Sequence, residues 1–298
     1  MENANVVIRA LETWEDMEGL EELQKAVWGD DPSYIMHRHM LVSIARNGGL
    51  VLGAFDGERL VGCAMAFLGA DMADEKRPAM ANLKLYSKRT AVLEAYHNMG
   101  IGYQLKLAQR DFAIQRGIRL ITWTFDPLLS RNAHFNIRKL GVTVSHYFQD
   151  YYGTESEALT LAGSSDRFQA DWWLTSRRVQ ERIKGARGPL TLEQYLGGGV
   201  RLLNPTSVTA DGLPAPSDQF IEPPSALGLV EIPSDFPRIV QADPALARSW
   251  REHSRAVFGA VLSAGYILTD FVHESFEGRE RSFYVCSHEG SLRRFSRN

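Results

Sequence analysis

Short apolar runs and stretches with helical spacing of apolar residues succeed one another along the first half of the chain. An Asp-Gly pair at residues 56–57 separates two of the apolar runs and predicts a tight hairpin. Apolar residues three or four positions apart predict the helices, the first of which follows a capping residue, Thr13. The predicted strands are 6–10, 50–55, 59–68, 83–93 and 118–125, and the predicted helices are 13–28, 37–46, 101–117 and 132–140.

The second half of the chain has a weaker pattern. Apolar runs predict strands at 142–144, 146–152 and 168–174, and Ser176 is placed to cap a basic helix over 177–184. Nine of the twelve prolines then fall between residues 188 and 244, which predicts an extended connection. A helix over 244–263, capped by Asp243, and strands at 266–272 and 282–286 restore the regular pattern.

These elements predict an α+β or α/β fold with a mixed central sheet flanked by helices and followed by a C-terminal extension. The predicted domains are an enzyme-like domain over 1–184, a Pro/Gly-rich connection over 185–242 and a helix–strand segment over 243–298. The helix that ends at Gly265 and leads into a strand resembles the helix that ends at Gly141. This is either an ordinary connection or a partial second copy of the half-fold.

The turn between the strand at 83–93 and the helix at 101–117 carries two glycines, Gly100 and Gly102. Backbone N–H groups at the start of a helix have no partner within the helix, and the helix dipole favours negative charge there. The turn is therefore predicted to hold a phosphate or pyrophosphate. A third glycine and a following acidic residue are missing, which argues against a dinucleotide fold, and no Gly-Lys-Ser/Thr follows, which excludes a P-loop.

The run His97-Asn98-Met99-Gly100-Ile101-Gly102 resembles motif A of the GNAT (Gcn5-related N-acetyltransferase) superfamily, written Q/R-x-x-G-x-G/A. His97 departs from this motif, since Arg or Gln usually occupies its place. The segment from Asn132 to Gly141, which ends in Lys-Leu-Gly, resembles the Asn-led helix of the same family. The resemblance covers about residues 6 to 165, and it implies the GNAT fold and an acyl-CoA co-substrate, either acetyl-CoA or succinyl-CoA.

The resemblance also implies where the co-substrate would bind. The pantetheine arm would lie between the strand that feeds the turn and the strand that ends near residue 125, and the phosphates would lie on the turn. The predicted cofactor-binding residues are Val92, Leu93, His97, Asn98, Met99, Gly100, Ile101, Gly102, Tyr103 and Asn132. Free backbone N–H groups near Val92 and Leu93 would stabilise charge on the thioester oxygen.

Attack of an amine on a thioester needs a base, and three residues are candidates: Asp126, His134 and Glu94. Each has a plainer explanation, since Asp126-Pro127 also suits an ordinary turn and the other two suit solvated surface positions. The departing thiolate needs a proton, but Ile137 occupies the place where the family often has a tyrosine. Tyr147, Tyr151, Tyr152 or solvent would have to replace it.

The composition of the chain limits which binding partners and cofactors are expected. The 298 residues carry 33 basic and 36 acidic side chains, a net charge of −3, which gives no reason to expect nucleic acid or an anionic membrane as a partner. Two distant cysteines, Cys63 and Cys286, lie in apolar runs and are predicted to be buried thiols, and no metal is expected. With no basic, apolar leader and no run of about 20 apolar residues, we expect a cytoplasmic protein.

Two functions follow from the sequence. The first is an acyl-CoA-dependent N-acyltransferase that acts on a small-molecule amine such as an amino acid. The second is a CoA-binding or interaction module that keeps the fold without turnover, and the departures at His97 and Ile137 motivate it. The chain after about residue 185 would form part of the acceptor pocket or a homodimer contact.

Overall fold

The structure is a computed structural model of the chain. It describes residues 6–71, 78–155, 160–186, 188–217, 219–222 and 226–288. Residues 1–5, on which the cytoplasmic expectation partly depends, lie outside this described part. The chain divides into two compact units, Met1–Trp123 and Thr124–Asn298, called unit 1 and unit 2 here. Within the described ranges, no helix combines the length and the apolar composition needed to cross a membrane.

Unit 1 contains the predicted elements in the predicted order. Its first helix begins with a capping box, in which Thr13 Oγ1 accepts from the Asp16 N–H and the Asp16 carboxylate accepts from the Thr13 N–H. Short 3₁₀ turns separate several elements. The elements are β1 (Val6–Ala10), α1 (Trp14–Trp28), α2 (Arg38–Arg46), β2 (Leu50–Asp56), β3 (Arg59–Ala70), β4 (Leu83–Val92), α3 (Ile101–Gln115) and β5 (Leu120–Phe125), the last of which contains the boundary between the units.

The sheet of unit 1 has the strand order β1-β2-β3-β4-β5, antiparallel except for the parallel pair β4–β5. Cys63 and Met65 of β3 pack in a core with α1 and α2. A Cβ on Gly62 would instead lie 3.4 Å from Ile101 of α3. Because successive strand residues face opposite sides, α1 and α2 cover one face of the sheet and α3 covers the other.

The elements of unit 2 extend through the segment that was predicted to be a connection. Its first helix widens after one turn into a π-helix over His134–Lys139. The elements are α4 (Ser130–Ala133), β6 (Thr143–Phe148), β7 (Arg167–Trp173), α5 (Arg177–Ile183), α6 (Leu192–Gly197), β8 (Arg201–Leu202), β9 (Ser207–Val208), β10 (Pro214–Ala215), β11 (Leu227–Ile232), α7 (Phe236–Ala242), α8 (Pro244–Ser263), β12 (Tyr266–Phe276) and β13 (Arg279–His288).

The expectation of an extended connection over 185–242 therefore differs from the structure. In unit 2 the strand order is β7-β6-β12-β13-β11-β8, so β11 lies between two other strands, and β9 and β10 form a separate ladder. The run Leu227–Ile232 is almost wholly buried. It is a short apolar run of the kind that makes a buried strand, and the surrounding prolines concealed it.

Buried carboxylates in unit 2 are paired with arginines. Tyr284, Phe168 and Phe258 pack edge to face in the aromatic core, and charged groups are buried beside it. A buried charge is tolerated when it is paired and hydrogen-bonded. The pairs are Asp126–Arg251, Asp166–Arg255, Glu231–Arg281 and Asp270–Arg182.

Both cysteines are free and buried, as predicted. Burial raises the pKa of Cys63 to about 12, and burial also raises the pKa of Cys286. Both therefore remain neutral thiols at physiological pH.

Candidate active site

The turn that precedes α3 is open and lacks a side-chain cap. Gly100 is the N-cap residue in a left-handed conformation, with φ 80°, and no side chain bonds to the first turn of α3. A Cβ placed on Gly100 or on Gly102 would find no atom within 4 Å. Asn98 also has a positive φ, 65°, which Asn tolerates better than most residues. The N–H groups of this turn are therefore available to an anion at the surface.

The turn is held in place by side chains on either side of it. His97 Nε2 lies 2.9 Å from the carbonyl oxygen of Val92, and because a carbonyl oxygen can only accept, Nε2 donates. Tyr96 donates from its hydroxyl to the Asp56 carboxylate at 2.8 Å, at the end of β2. His97, predicted to contact the cofactor, therefore braces the turn against β4 in this structure.

One expected backbone donor is already used. The Leu93 N–H donates to the Val61 carbonyl oxygen at 2.9 Å, and the Leu93 carbonyl oxygen accepts from the Tyr96 N–H. Alternate residues of an antiparallel ladder direct their N–H groups to opposite sides, so the Val92 N–H points away from β3. The prediction of a free donor at Leu93 is therefore corrected, and Val92 keeps that role.

The parallel pairing of β4 with β5 is confined to Leu85↔Ile121 and Tyr86↔Thr122 within the described residues. β4 continues to Val92 and stays paired with β3 on its other edge. A register shift in that pairing leaves Lys88 as an extra residue, a β-bulge. The edge of β4 beyond Tyr86 thus leaves the ladder that it shares with β5.

Asp126, a candidate base, lies in unit 2 and is committed to other contacts. Its side chain is buried, and its two oxygens accept from Arg251 at 2.7 and 2.5 Å. Oδ1 also accepts from the Leu128 N–H at 2.9 Å, which is the ordinary turn that the sequence offered as the alternative. The prediction that Asp126 is the base loses its support, because both carboxylate oxygens are occupied by hydrogen bonds within the protein.

His134 begins the π-helix of unit 2, a distortion that often accompanies functional sites. Burial, followed by the positive charges of Lys139, His273 and Arg138, lowers the pKa of His134 to about 4. The imidazole is therefore neutral at physiological pH and has a free lone pair on one nitrogen, although it is a weaker base than an ordinary histidine.

The other predicted catalytic groups have different surroundings. Glu94 lies exposed in the turn of unit 1, and no hydrogen bond or ion pair of its carboxylate is found within the described residues. In unit 2, Asn132 is exposed and Ile137 is fully buried. Tyr147 donates to the Asp166 carboxylate, and burial with that carboxylate raises the pKa of Tyr147 far above its usual range, so it is a poor acid.

The structure thus brings the turn residues together in unit 1, namely Val92, Leu93, Glu94 and residues 97–103, and places Asp126, Asn132 and His134 in unit 2.

The sequence did not single out two buried residues, Arg251 and Lys106. Arg251 is 125 positions from its partner Asp126, and Lys106 is buried in α3. A basic residue in the apolar stripe of α3 was the only local signal for Lys106. Within the described part of the chain, no group of three or more His, Cys, Asp or Glu side chains is placed to hold a metal ion.

Comparison with known families identifies the first part of the chain. A model of the acetyltransferase (GNAT) family matches residues 12–141, and these residues belong to that family. The predicted resemblance and the GNAT fold with extra C-terminal strands are confirmed. No curated protein matches the chain.

Several solved structures resemble the chain. The ribosomal-protein-S18-alanine N-acetyltransferase of Escherichia coli is 15% identical with a TM-score of 0.43, covering 56% of this chain and 92% of that one. The protein yncA of Salmonella typhimurium, solved with its cofactor acetyl-CoA, is 15% identical with a TM-score of 0.42, over 57% and 94%. An aminoglycoside acetyltransferase from an uncultured soil metagenomic sample is 20% identical with a TM-score of 0.37, over 45% and 86%.

Proposed function

We propose that the chain is an N-acyltransferase that moves an acyl group from acyl-CoA to the amine of a small molecule such as an amino acid. Membership of residues 12–141 in the acetyltransferase family supports this proposal. The observation that carries it is the open, uncapped turn before α3, where added side-chain atoms at Gly100 and Gly102 would point into empty space. An acyl-CoA supplies an activated thioester when it is bound.

The backbone of the turn would bind the phosphates. The first N–H groups of α3 lie at the positive end of its dipole, and no side chain caps them. The outward N–H of Val92, next to the turn, would pair with the pantetheine arm, as an added strand pairs at an open sheet edge. By family resemblance, Asn132 would hydrogen-bond the pantetheine arm.

Glu94 and His134 are the remaining candidates for the base. Glu94 is exposed and would take a proton directly or through water, while His134 is neutral at physiological pH and has a lone pair to offer. Ile137 has no proton to give, so the thiolate would receive its proton from another residue or from solvent.

A glycine-to-valine substitution tests the proposal. Gly102→Val leaves a helical position without steric conflict inside the protein but fills the space in front of the turn. We expect CoA to bind this variant at least about tenfold more weakly in calorimetry, a difference of about 1.4 kcal/mol. Gly259→Val is the matched control, since Gly259 also lies in a helix with no atom within 4 Å of an added Cβ.

Equal affinity of the wild type and Gly102→Val for CoA would contradict the proposal, as would a wild-type chain that does not bind CoA. A thiol-release assay with acetyl-CoA over a panel of small amines then separates the enzyme from the alternative. Tight CoA binding without release of thiol on any amine favours the binding module that the His97 and Ile137 departures suggested.

A further inference from the structure

A buried lysine lies behind the turn, where nothing in the proposed reaction uses it. Lys106 of α3 is 4% exposed, and burial alone lowers its pKa to about 7, with no contribution from another charged group. Its ammonium group donates to Ser87 Oγ at 2.8 Å and lies 3.9 Å from the centre of the Trp123 ring. All three residues belong to unit 1.

The hydrogen bonds around Lys106 run in one direction. Because an ammonium can only donate, Ser87 Oγ accepts a hydrogen bond from Lys106. The Ser87 hydroxyl in turn donates a hydrogen bond to Gln109 Oε1, 3.0 Å away. This orientation leaves Gln109 Nε2 without a hydrogen-bond partner among the described residues, although Gln109 is 0% exposed. Buried donors without acceptors are costly, so the cluster is short of acceptor oxygens.

The bulge in β4 adds another polar group to the cluster. Ser87 pairs with Ala66 and Thr90 pairs with Ala64, two residues apart on β3, so the extra residue Lys88 puts both side chains on the face that α3 covers. Thr90 Oγ1 is also buried without a hydrogen-bond partner among the described residues.

The cluster lies where β4 and β5 part, since Ser87 follows the last paired residue, Tyr86. Val92 lies at the other end of β4, beside the proposed phosphate turn. Five residues of strand cover roughly 17 Å at about 3.3 Å each, which is comparable with an extended pantetheine arm. An arm that runs back along β4 from the turn brings the end of its acyl group towards the cluster.

We propose that Ser87, Thr90, Lys106 and Gln109 form a subsite for a carboxylate at the end of the acyl chain, so that the acyl-CoA of this protein carries a dicarboxylic acyl group such as succinyl. A carboxylate supplies two acceptor oxygens for the donors of this cluster and a negative charge to pair with the Lys106 ammonium. A plain acetyl group has neither. This inference rests on the proposed function, because it assumes that acyl-CoA binds along β4.

The test measures binding, so that it does not depend on knowing the amine. Two non-hydrolysable ketone analogues of CoA, one carrying acetyl and the other succinyl, are titrated into the full-length chain by calorimetry. We expect the succinyl analogue to bind at least about tenfold more tightly to the wild type. Lys106→Met removes this preference while the affinity for CoA itself stays unchanged, and the exposed Lys184→Met keeps it.

Gln109→Leu is the second variant and is expected to reduce the preference as well. Proton uptake gives an independent readout, because a carboxylate beside Lys106 favours its charged form. At about pH 8 the wild type takes up protons when the succinyl analogue binds, seen as a dependence of the heat on the buffer, and Lys106→Met does not.

Equal binding of the two analogues by the wild type, or a preference that survives in Lys106→Met, overturns the inference while leaving the proposed function intact. A wild type that binds neither analogue nor CoA overturns the proposed function itself.

Discussion

At the scale of single residues, Lys106 is unusual because folding removes it from water without giving it a carboxylate partner. The folded-state pKa is about 7, against 10.5 for an ordinary lysine. Between these two values the unfolded chain holds a proton that the folded chain does not. Stability therefore rises with pH across this window, and below about pH 7 the penalty for charging the buried amine is fully present.

Lys106→Met should remove this pH dependence. We expect the free energy of unfolding of the wild type to gain about 1.4 kcal/mol per pH unit from Lys106 between about pH 7 and pH 9, and the variant to lack this gain. Urea midpoints measured at both pH values for the two chains check it. Parallel changes in both chains would mean that Lys106 keeps an ordinary pKa in the folded state.

Asp126 gives a second prediction at this scale, because its buried ion pair with Arg251 indicates a role in stability. Asp126→Asn leaves Arg251, which is 3% exposed, as an uncompensated buried charge. Breaking a buried pair in this way typically costs about 3–5 kcal/mol, which urea unfolding of the variant would show. Glu181→Gln, which breaks the surface pair with the exposed Arg177, should cost less than about 1 kcal/mol. Lost acyl transfer with unchanged stability in Asp126→Asn would instead restore Asp126 as the base.

At the scale of elements, the sequence predicts a helix, strand or turn correctly where the residues that determine it are close together in the chain. The hairpin at Asp56-Gly57, the cap at Thr13 and the glycine turn before α3 each depend on residues within a few positions, and all were predicted. The π-helix at His134–Lys139 was not, because its backbone pattern has no composition of its own. The β4 bulge was also missed, since register depends on the partner strand.

The turn between β12 and β13 has a left-handed backbone, which makes its residues a test of turn stability. Glu277 and Gly278 have φ values of 51° and 78°, which match a type I′ turn, where Asn-Gly is preferred. Glu277→Asn should stabilise the chain by about 0.5–1 kcal/mol, because left-handed backbone costs most residues about 1–2 kcal/mol. The lost ion pair with Arg281 is worth less, since the Glu277 side chain is 70% exposed.

Glu277→Ala isolates that ion pair, because it removes the carboxylate and keeps the unfavourable backbone. Thermal unfolding should therefore rank Glu277→Asn above the wild type and Glu277→Ala at or slightly below it. An asparagine variant no more stable than the alanine variant would contradict the explanation by backbone strain.

At the scale of the whole molecule, local motifs located the first unit but not the extent of the second. The glycine turn before α3 could be predicted because its residues are neighbours in sequence. The buried ion pairs of unit 2 could not be predicted, because they join distant positions such as Asp126 and Arg251, or Glu231 and Arg281. The high proline content of 185–242 also predicted a connection where the structure has a strand, because composition does not reveal a short apolar run such as β11.

The extra residue Lys88 determines which face of the sheet each later side chain of β4 lies on. If Lys88 paired in simple alternation instead of forming the bulge, every later residue of β4 would change face. Thr90 would then share a face with Tyr86 instead of Ser87, and Arg89, whose guanidinium now lies 4.8 Å from the Trp28 ring centre on the α1 side, would turn towards α3. A cation would take the place of a hydroxyl beside Lys106. Deletion of Lys88 itself would instead remove the bulge and leave Ser87 and Thr90 together on the α3 face.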